Sequence, residues 1–212
     1  MKLHGINHLA FITGDMEKTI RFYRDLLGLT LSAGVGHNGF RHYFFRFDDD
    51  KTHVAFFEYD GASPMKFKFP GKRTSEPLGF DHVSFTVGGK KDLFALKDKL
   101  EAAGFGVRGA IDHGMFWSIY FRDPNNIPLE ATWEFMAIKK MPAMAEDEPM
   151  DIVAEGAGPQ PGHWPEVTDP TPPEAMTSTS GNAYRMRKEF LEAGIAGFKD
   201  EFEEIPPVKA AE

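Results

Sequence analysis

Two histidines open matching stretches of this 212-residue chain. Residues 5–14 read Gly-Ile-Asn-His-Leu-Ala-Phe-Ile-Thr-Gly and residues 79–88 read Gly-Phe-Asp-His-Val-Ser-Phe-Thr-Val-Gly, with His8 and His82 at the same place, 74 residues apart. Each stretch is short and alternating, as a strand with one buried face is. Leu9 and Phe11, like Val83 and Phe85, fall on one face; His8 and Ala10, like His82 and Ser84, fall on the other. An imidazole followed two places on by a small residue suits the wall of a cavity, and imidazole is a common metal ligand. One such histidine alone is more often a hydrogen-bonded structural residue. Recurrence at one place in a repeat favours a shared ligand position.

The elements that must carry these residues follow from the pattern around them. Asp15 as a cap, Thr19, Ile20, Tyr23, Leu26 and Leu27 at helical spacing and Gly28 as a stop predict a helix over 15–27. Strands are expected at about 29–35, 41–48 and 53–59, with Asp48-Asp49-Asp50 as a solvated turn that lacks the glycine and closing Glu of a calcium loop. Residues 60–78 have no periodicity and read as a connection. The order then repeats: a strand at 80–87, a helix at 89–103 ending at Gly104, and strands at 105–110, 115–122 and 127–134, the last pair joined by Asp123-Pro124-Asn125-Asn126. The expected class is α+β, with two β-α-β-β-β modules at about 4–60 and 79–134 in a domain over 1–135. A proline-rich extended arm is expected at 136–180, and a C-terminal helix (about 181–204) with its tail at 181–212.

Composition narrows the function. A net charge of −8 and a pI near 5.5 give no electrostatic footprint for nucleic acid or an anionic membrane. No stretch is long and apolar enough to span a bilayer, and the first residues form no apolar signal region, so a cytoplasmic protein is expected. With no cysteine, disulfides, thiolate metal sites and cysteine nucleophiles are excluded. An arm and an amphipathic helix appended to a complete domain need a surface to cover, which predicts a homodimer.

Two β-α-β-β-β modules, each opened by a histidine, resemble the vicinal oxygen chelate superfamily, which includes glyoxalase I, extradiol ring-cleaving dioxygenases, fosfomycin-resistance enzymes and bleomycin-binding proteins. The resemblance covers about residues 4–134. It implies a half-open barrel with a metal held by His8, His82 and Glu130. Chemistry agrees: two imidazoles and a carboxylate leave open positions on Fe(II) for a chelating substrate and O₂, with Mn(II), Ni(II) or Zn(II) as alternatives. Glu130 also lies in the apolar run Ile127-Pro128-Leu129-Glu130-Ala131, where an unpaired carboxylate costs several kcal/mol.

Within the superfamily, Ile111-Asp112-His113, Ile119-Tyr120, Asp123-Pro124 and Glu130 resemble the extradiol dioxygenase signature, with Asn126 where that signature has Gly or Pro. This implies a small aromatic substrate and O₂, His53 as the acid/base, and His113 and Tyr120 as hydrogen-bonding partners of the substrate. Glyoxalase I is the rival and would recruit Glu58 as a fourth ligand. His53 and Glu58 differ by an odd number, so a regular strand sends them to opposite faces. Glu58 then reads as a solvated carboxylate. A non-enzymatic binder of bleomycin type is the third reading, against which the complete ligand set argues. Phe116 and Trp117 are candidates for an aromatic wall or for core. His4, His37, His42 and His163 have no partner at informative spacing.

Overall fold

The first sheet is built around a parallel pair. In the computed structural model, which describes residues 6–37, 40–49, 51–68, 70–71, 80–140, 143, 157, 161–162, 165–181, 184, 186–198 and 208–210, strand β1 (His8–Thr13) lies beside β4 (His53–Glu58). The order is β1-β4-β3-β2, with β2 at Thr30–His37 and β3 at Phe40–Arg46. The second sheet repeats it as β5-β8-β7-β6: β5 is Val83–Thr86, β6 Arg108–Asp112, β7 Phe116–Arg122 and β8 Pro128–Glu134, with β5 parallel to β8. Both are four-stranded mixed sheets, and neither is closed into a barrel. This is the α+β arrangement expected of the repeat; Gly5 and Gly79, which frame it, lie outside the described residues.

Helix α1 (Met16–Ile20) starts where Asp15 accepts a hydrogen bond from the Lys18 N–H. The predicted single helix continues instead as a π-helical turn over Arg21–Leu26, in which the Leu27 N–H reaches Phe22 O. The wider turn lets two adjacent rings, Phe22 and Tyr23, both be buried. Gly28 ends the run at φ 83°, a conformation glycine adopts without steric cost. Helix α2 (Lys90–Ala102) stops likewise at Gly104.

One core joins the modules. Phe45, Val54 and Phe56 from the first sheet meet Ile119, Phe121 and Leu129 from the second, with Phe22 and Tyr23 between them. Phe22 packs edge-on against Phe105 with ring centroids 4.9 Å apart. Each such side chain contributes about 1.5–3 kcal/mol by leaving water. A polar network crosses the same seam. Thr13 Oγ1 donates to Asn125 Oδ1 (2.9 Å) and shares a hydrogen bond with Thr19 (2.8 Å), while the Tyr23 hydroxyl donates to Asp123 Oδ2 (3.3 Å). The sheet faces turned towards this core carry Leu9, Phe11 and Thr13, and Leu129 and Ala131. The opposite faces point away from it; Ile12, on the His8 face, is 55 % exposed.

The chain divides into two compact units, Met1–Ile138 and Lys139–Glu212. In the second, the described elements are a 3₁₀ turn at Pro173–Ala175, β9 (Thr179–Ser180) paired in parallel with β10 (Val208–Ala210), and α3 (Met186–Glu192). The helix is shorter than the apolar stripe suggested. Gly194 takes φ 66° and the Ile195 N–H folds back onto Phe190 O, closing it; residues 199–204 lie outside the described residues. Among the described residues no helix is long and apolar enough to cross a membrane.

Candidate functional site

The outward face of the second sheet holds a carboxylate among polar partners. Glu130, on β8, is 4 % exposed and sits opposite Ser84 on β5 and Tyr120 on β7. Its Oε2 lies 2.9 Å from His82 Nε2. Burial alone would raise its pKa, but Ser118, Tyr120, Ser84 and the nearby His82 outweigh that and hold it below the usual carboxylate range. Burial and then Glu130 push the Tyr120 hydroxyl up to about 12, so it remains a proton donor at neutral pH. The same hydroxyl is 3.0 Å from His113 Nε2. His82, Glu130, Tyr120 and His113 therefore form one group.

Asp81 completes it and was not anticipated from the sequence. Its Oδ2 accepts from His82 Nδ1 at 2.7 Å, which turns Nε2 towards Glu130. Burial raises Asp81, yet His82, the Gly71 N–H and Lys68 hold it down at about 2. The repeat contained the signal: Asn7 stands before His8 as Asp81 stands before His82, and Asn7 Oδ1 accepts from His8 Nδ1 at 2.8 Å.

The outward face of the first sheet carries His8 and His53, which are register partners across the β1–β4 ladder. His53 Nδ1 lies 3.2 Å from Asn7 O. His42 shares this face, stacked on Phe57 at 3.6 Å with 12° between the rings and packed against Phe44 at 4.4 Å. Burial and the neighbouring His8 lower its pKa, so it is a neutral ring. Period-two spacing from Phe44 and Arg46 was the available clue to its face. The structure thus brings His8 to His53 and His82 to Glu130, but among the described residues no three His, Asp or Glu side chains converge as a metal site.

Glu58 belongs to neither group. It faces away from His53, as strand parity requires, and its Oε1 accepts the Met16 N–H at 2.7 Å at the start of α1 while Oε2 pairs with Arg41. With a side chain 14 % exposed it is a helix-terminus anion and not the solvated carboxylate expected. Trp117 packs edge-on to Trp133 and beneath Lys90, on the helix-bearing face, and so is no wall of the site; Phe116 does lie against His113, with ring centroids 5.1 Å apart. Asn126, the departure from the signature, adopts φ 64°, and Asp123 Oδ1 accepts the Asn125 and Ile127 N–H groups to hold the turn. The turn keeps its left-handed form without glycine. A cleft of about 480 Å³ lies on the core side of the sheets, between Leu9 and Val54 and Val83 and Phe85, and none of the histidines or Glu130 lines it.

A family model described as the glyoxalase/bleomycin resistance protein/dioxygenase superfamily matches residues 5–131. The chain belongs to that superfamily. A crystal structure of a glyoxylase/bleomycin resistance protein/dioxygenase domain from Frankia sp. EAN1pec is 25% identical, with a TM-score of 0.54 over 63% of this chain and 100% of that one. A lactoylglutathione lyase from Agrobacterium tumefaciens is 22% identical, with a TM-score of 0.47 over 63% of this chain and 96% of that one. An antibiotic binding protein from Streptomyces is 16% identical, with the same TM-score over 64% of this chain and 99% of that one. Superfamily members generally bind divalent metals and are mostly metal-dependent enzymes. The donors here suit such an ion: His82 Nε2 and Glu130 Oε2 face each other at 2.9 Å, and Asp81 fixes which ring nitrogen faces the carboxylate.

Proposed function

We propose that the chain is a non-haem Fe(II)-dependent dioxygenase of the extradiol type, opening the ring of a vicinal aromatic diol with O₂. The observation that carries the reading is the grouping of Tyr120 and His113 beside Glu130 and His82. A glyoxalase has no need of that phenol–imidazole pair, and the Glu58 it would use is engaged by α1 and Arg41.

His8, His82 and Glu130 would hold the metal. Such an ion would supply Lewis acidity towards a chelating diol and redox chemistry with O₂. The remaining work falls to the chain. Asp81 orients the His82 ring, and the Ser84 and Ser118 hydroxyls keep Glu130 ionised. Tyr120, still a phenol at neutral pH, donates a hydrogen bond to a substrate oxygen, and His113 orients that hydroxyl. His53 moves a proton to or from the opening ring. Because the three donors lie on two outward faces, the site is completed in a homodimer, with the His8–His53 face of one copy over the His82–Glu130 face of another.

Anaerobic loading with iron followed by oxygen-electrode screening of catechols and hydroquinones tests this. The expected result is about one iron per chain, lost in His82→Ala, with oxygen uptake on a vicinal diol. Equal iron in wild type and His82→Ala, or no uptake with any diol, would overturn it.

A further inference from the structure

The second module carries a cavity of about 480 Å³ beside the Glu130 group, large enough for a single-ring ligand. Its walls include Phe67 from the connection, Phe105 ahead of β6, Arg108 on β6, and Tyr120 and Arg122 on β7. Tyr120 belongs to both places: it lines the cavity and faces Glu130 across the β7–β8 ladder. Tyr120 is thus the residue at which the cavity and the group formed by Glu130, His82 and His113 meet.

Arg122 stands apart from the other arginines described so far. Arg21, Arg24 and Arg41 each hold a carboxylate. Arg122 donates from Nη1 to Asn126 O at 3.0 Å and lies 4.0 Å over the Phe67 ring, and among the described residues no carboxylate pairs with it. Burial pushes its pKa down, the mark of a guanidinium that has lost water without gaining an anion. Arg108 is the register partner of Tyr120, which places a second guanidinium on the same wall. Asp123 also lines the cavity, but its oxygens are committed to the Asn125 and Ile127 N–H groups, the Asn125 amide and Tyr23. Rings on the walls and guanidinium forks at the side match a planar anion attached to a planar ring.

We propose that this cavity binds the carboxylate of an aromatic acid through Arg122, with Arg108 on the same wall, so that the substrate is a ring bearing a carboxylate as well as the reacting hydroxyls. The assignment of the hydroxyls rests on the dioxygenase reading; the carboxylate site does not. Its test uses binding to the metal-free full-length chain, measured calorimetrically with 4-hydroxybenzoate and its neutral isostere 4-hydroxybenzamide.

Wild type should bind the acid roughly 10- to 100-fold more tightly than the amide, as charge-assisted hydrogen bonds require, and the preference should shrink with added salt. Arg122→Gln should remove most of that preference while leaving the amide's affinity alone. Arg108→Gln should weaken it too, and serves as the deciding variant if loss of the bond to Asn126 leaves Arg122→Gln unfolded. A wild type that binds both probes equally, or neither at millimolar concentration, overturns the proposal, as does full preference in the folded variants. Acid-selective binding by a protein that consumes no oxygen would remove the dioxygenase reading and leave the carboxylate site standing.

Discussion

Separate outward faces for His8 and for the His82–Glu130 pair make a quantitative prediction about mixing two dead variants. His8→Ala removes a donor from the first-sheet face, and His82→Ala removes one from the second. If each site draws one face from each of two copies, both variants are inactive as homodimers. Unfolded together and refolded in equal amounts, half of the dimers pair one variant with the other. In such a dimer one site unites the intact His8 with the intact His82, and the second site lacks both. Recovered oxygen uptake should then reach about a quarter of wild type, with iron content restored in the same proportion. Native mass spectrometry on differently tagged chains measures the mixed fraction, so activity is read per mixed dimer. Mixed dimers present at half the total with no activity would refute a shared site. So would variants that, as monomers, keep the iron of wild type.

Glu58→Gln removes the anion at the α1 N-terminus and the partner of Arg41, and should cost about 1–2 kcal/mol in urea unfolding with iron content unchanged; loss of metal instead would favour the glyoxalase arrangement. Asn126→Val should destabilise by about 1–2 kcal/mol and Asn126→Gly by less, because a β-branched residue resists the φ of 64° that glycine adopts freely; equal losses in thermal unfolding would contradict this. Burial raises the pKa of Asp123, its hydrogen bonds from Ile127, Asn125 and Tyr23 only partly opposing it. A raised folded-state value means that this group's stabilisation is fully present below its unfolded pKa, about 3.8, and is lost as pH rises through the folded value. The stability of wild type relative to Asp123→Asn should therefore fall as pH rises above about 3.8, and a flat or rising difference in denaturant titrations would show the carboxylate is not so shifted.

Much of the fold lay open in the sequence because side-chain period is a local property. The repeat around His8 and His82 marked both first strands, and odd spacing alone separates His53 from Glu58. Asn126 keeps its left-handed turn for a similarly local reason, because asparagine tolerates that conformation better than other residues with a side chain. Periodicity says which residues share a face, though, and not which face meets the neighbouring module. Packing of the Phe56 and Leu129 sides together is a matter of total apolar area, so the division of the expected ligands between two surfaces could not be read from His8, His82 and Glu130. His42 showed no partner at informative spacing because its stacking on Phe57 spans two strands. The π-helical turn after Ile20 likewise depends on how Phe22 and Tyr23 are received by the second module.

A chain of two similar halves faces an ambiguity of recognition: either half could dock on a copy of itself. Apolar surfaces discriminate poorly, since hydrophobic attraction has no direction. The Thr13–Asn125 and Tyr23–Asp123 bonds do discriminate, because they are not repeated. At the places equivalent to Thr13 and Tyr23 the second module has Val87 and Lys97, and Lys97 is turned to Glu101 on its own helix. A first module can offer these donors only to the turn of a second module. Homotypic docking would bury Asp123 and Asn125 with donors missing, at a cost of about 1–3 kcal/mol for each unsatisfied group. Sequence drift between the halves has thus given the seam a polarity, like a key cut on one edge.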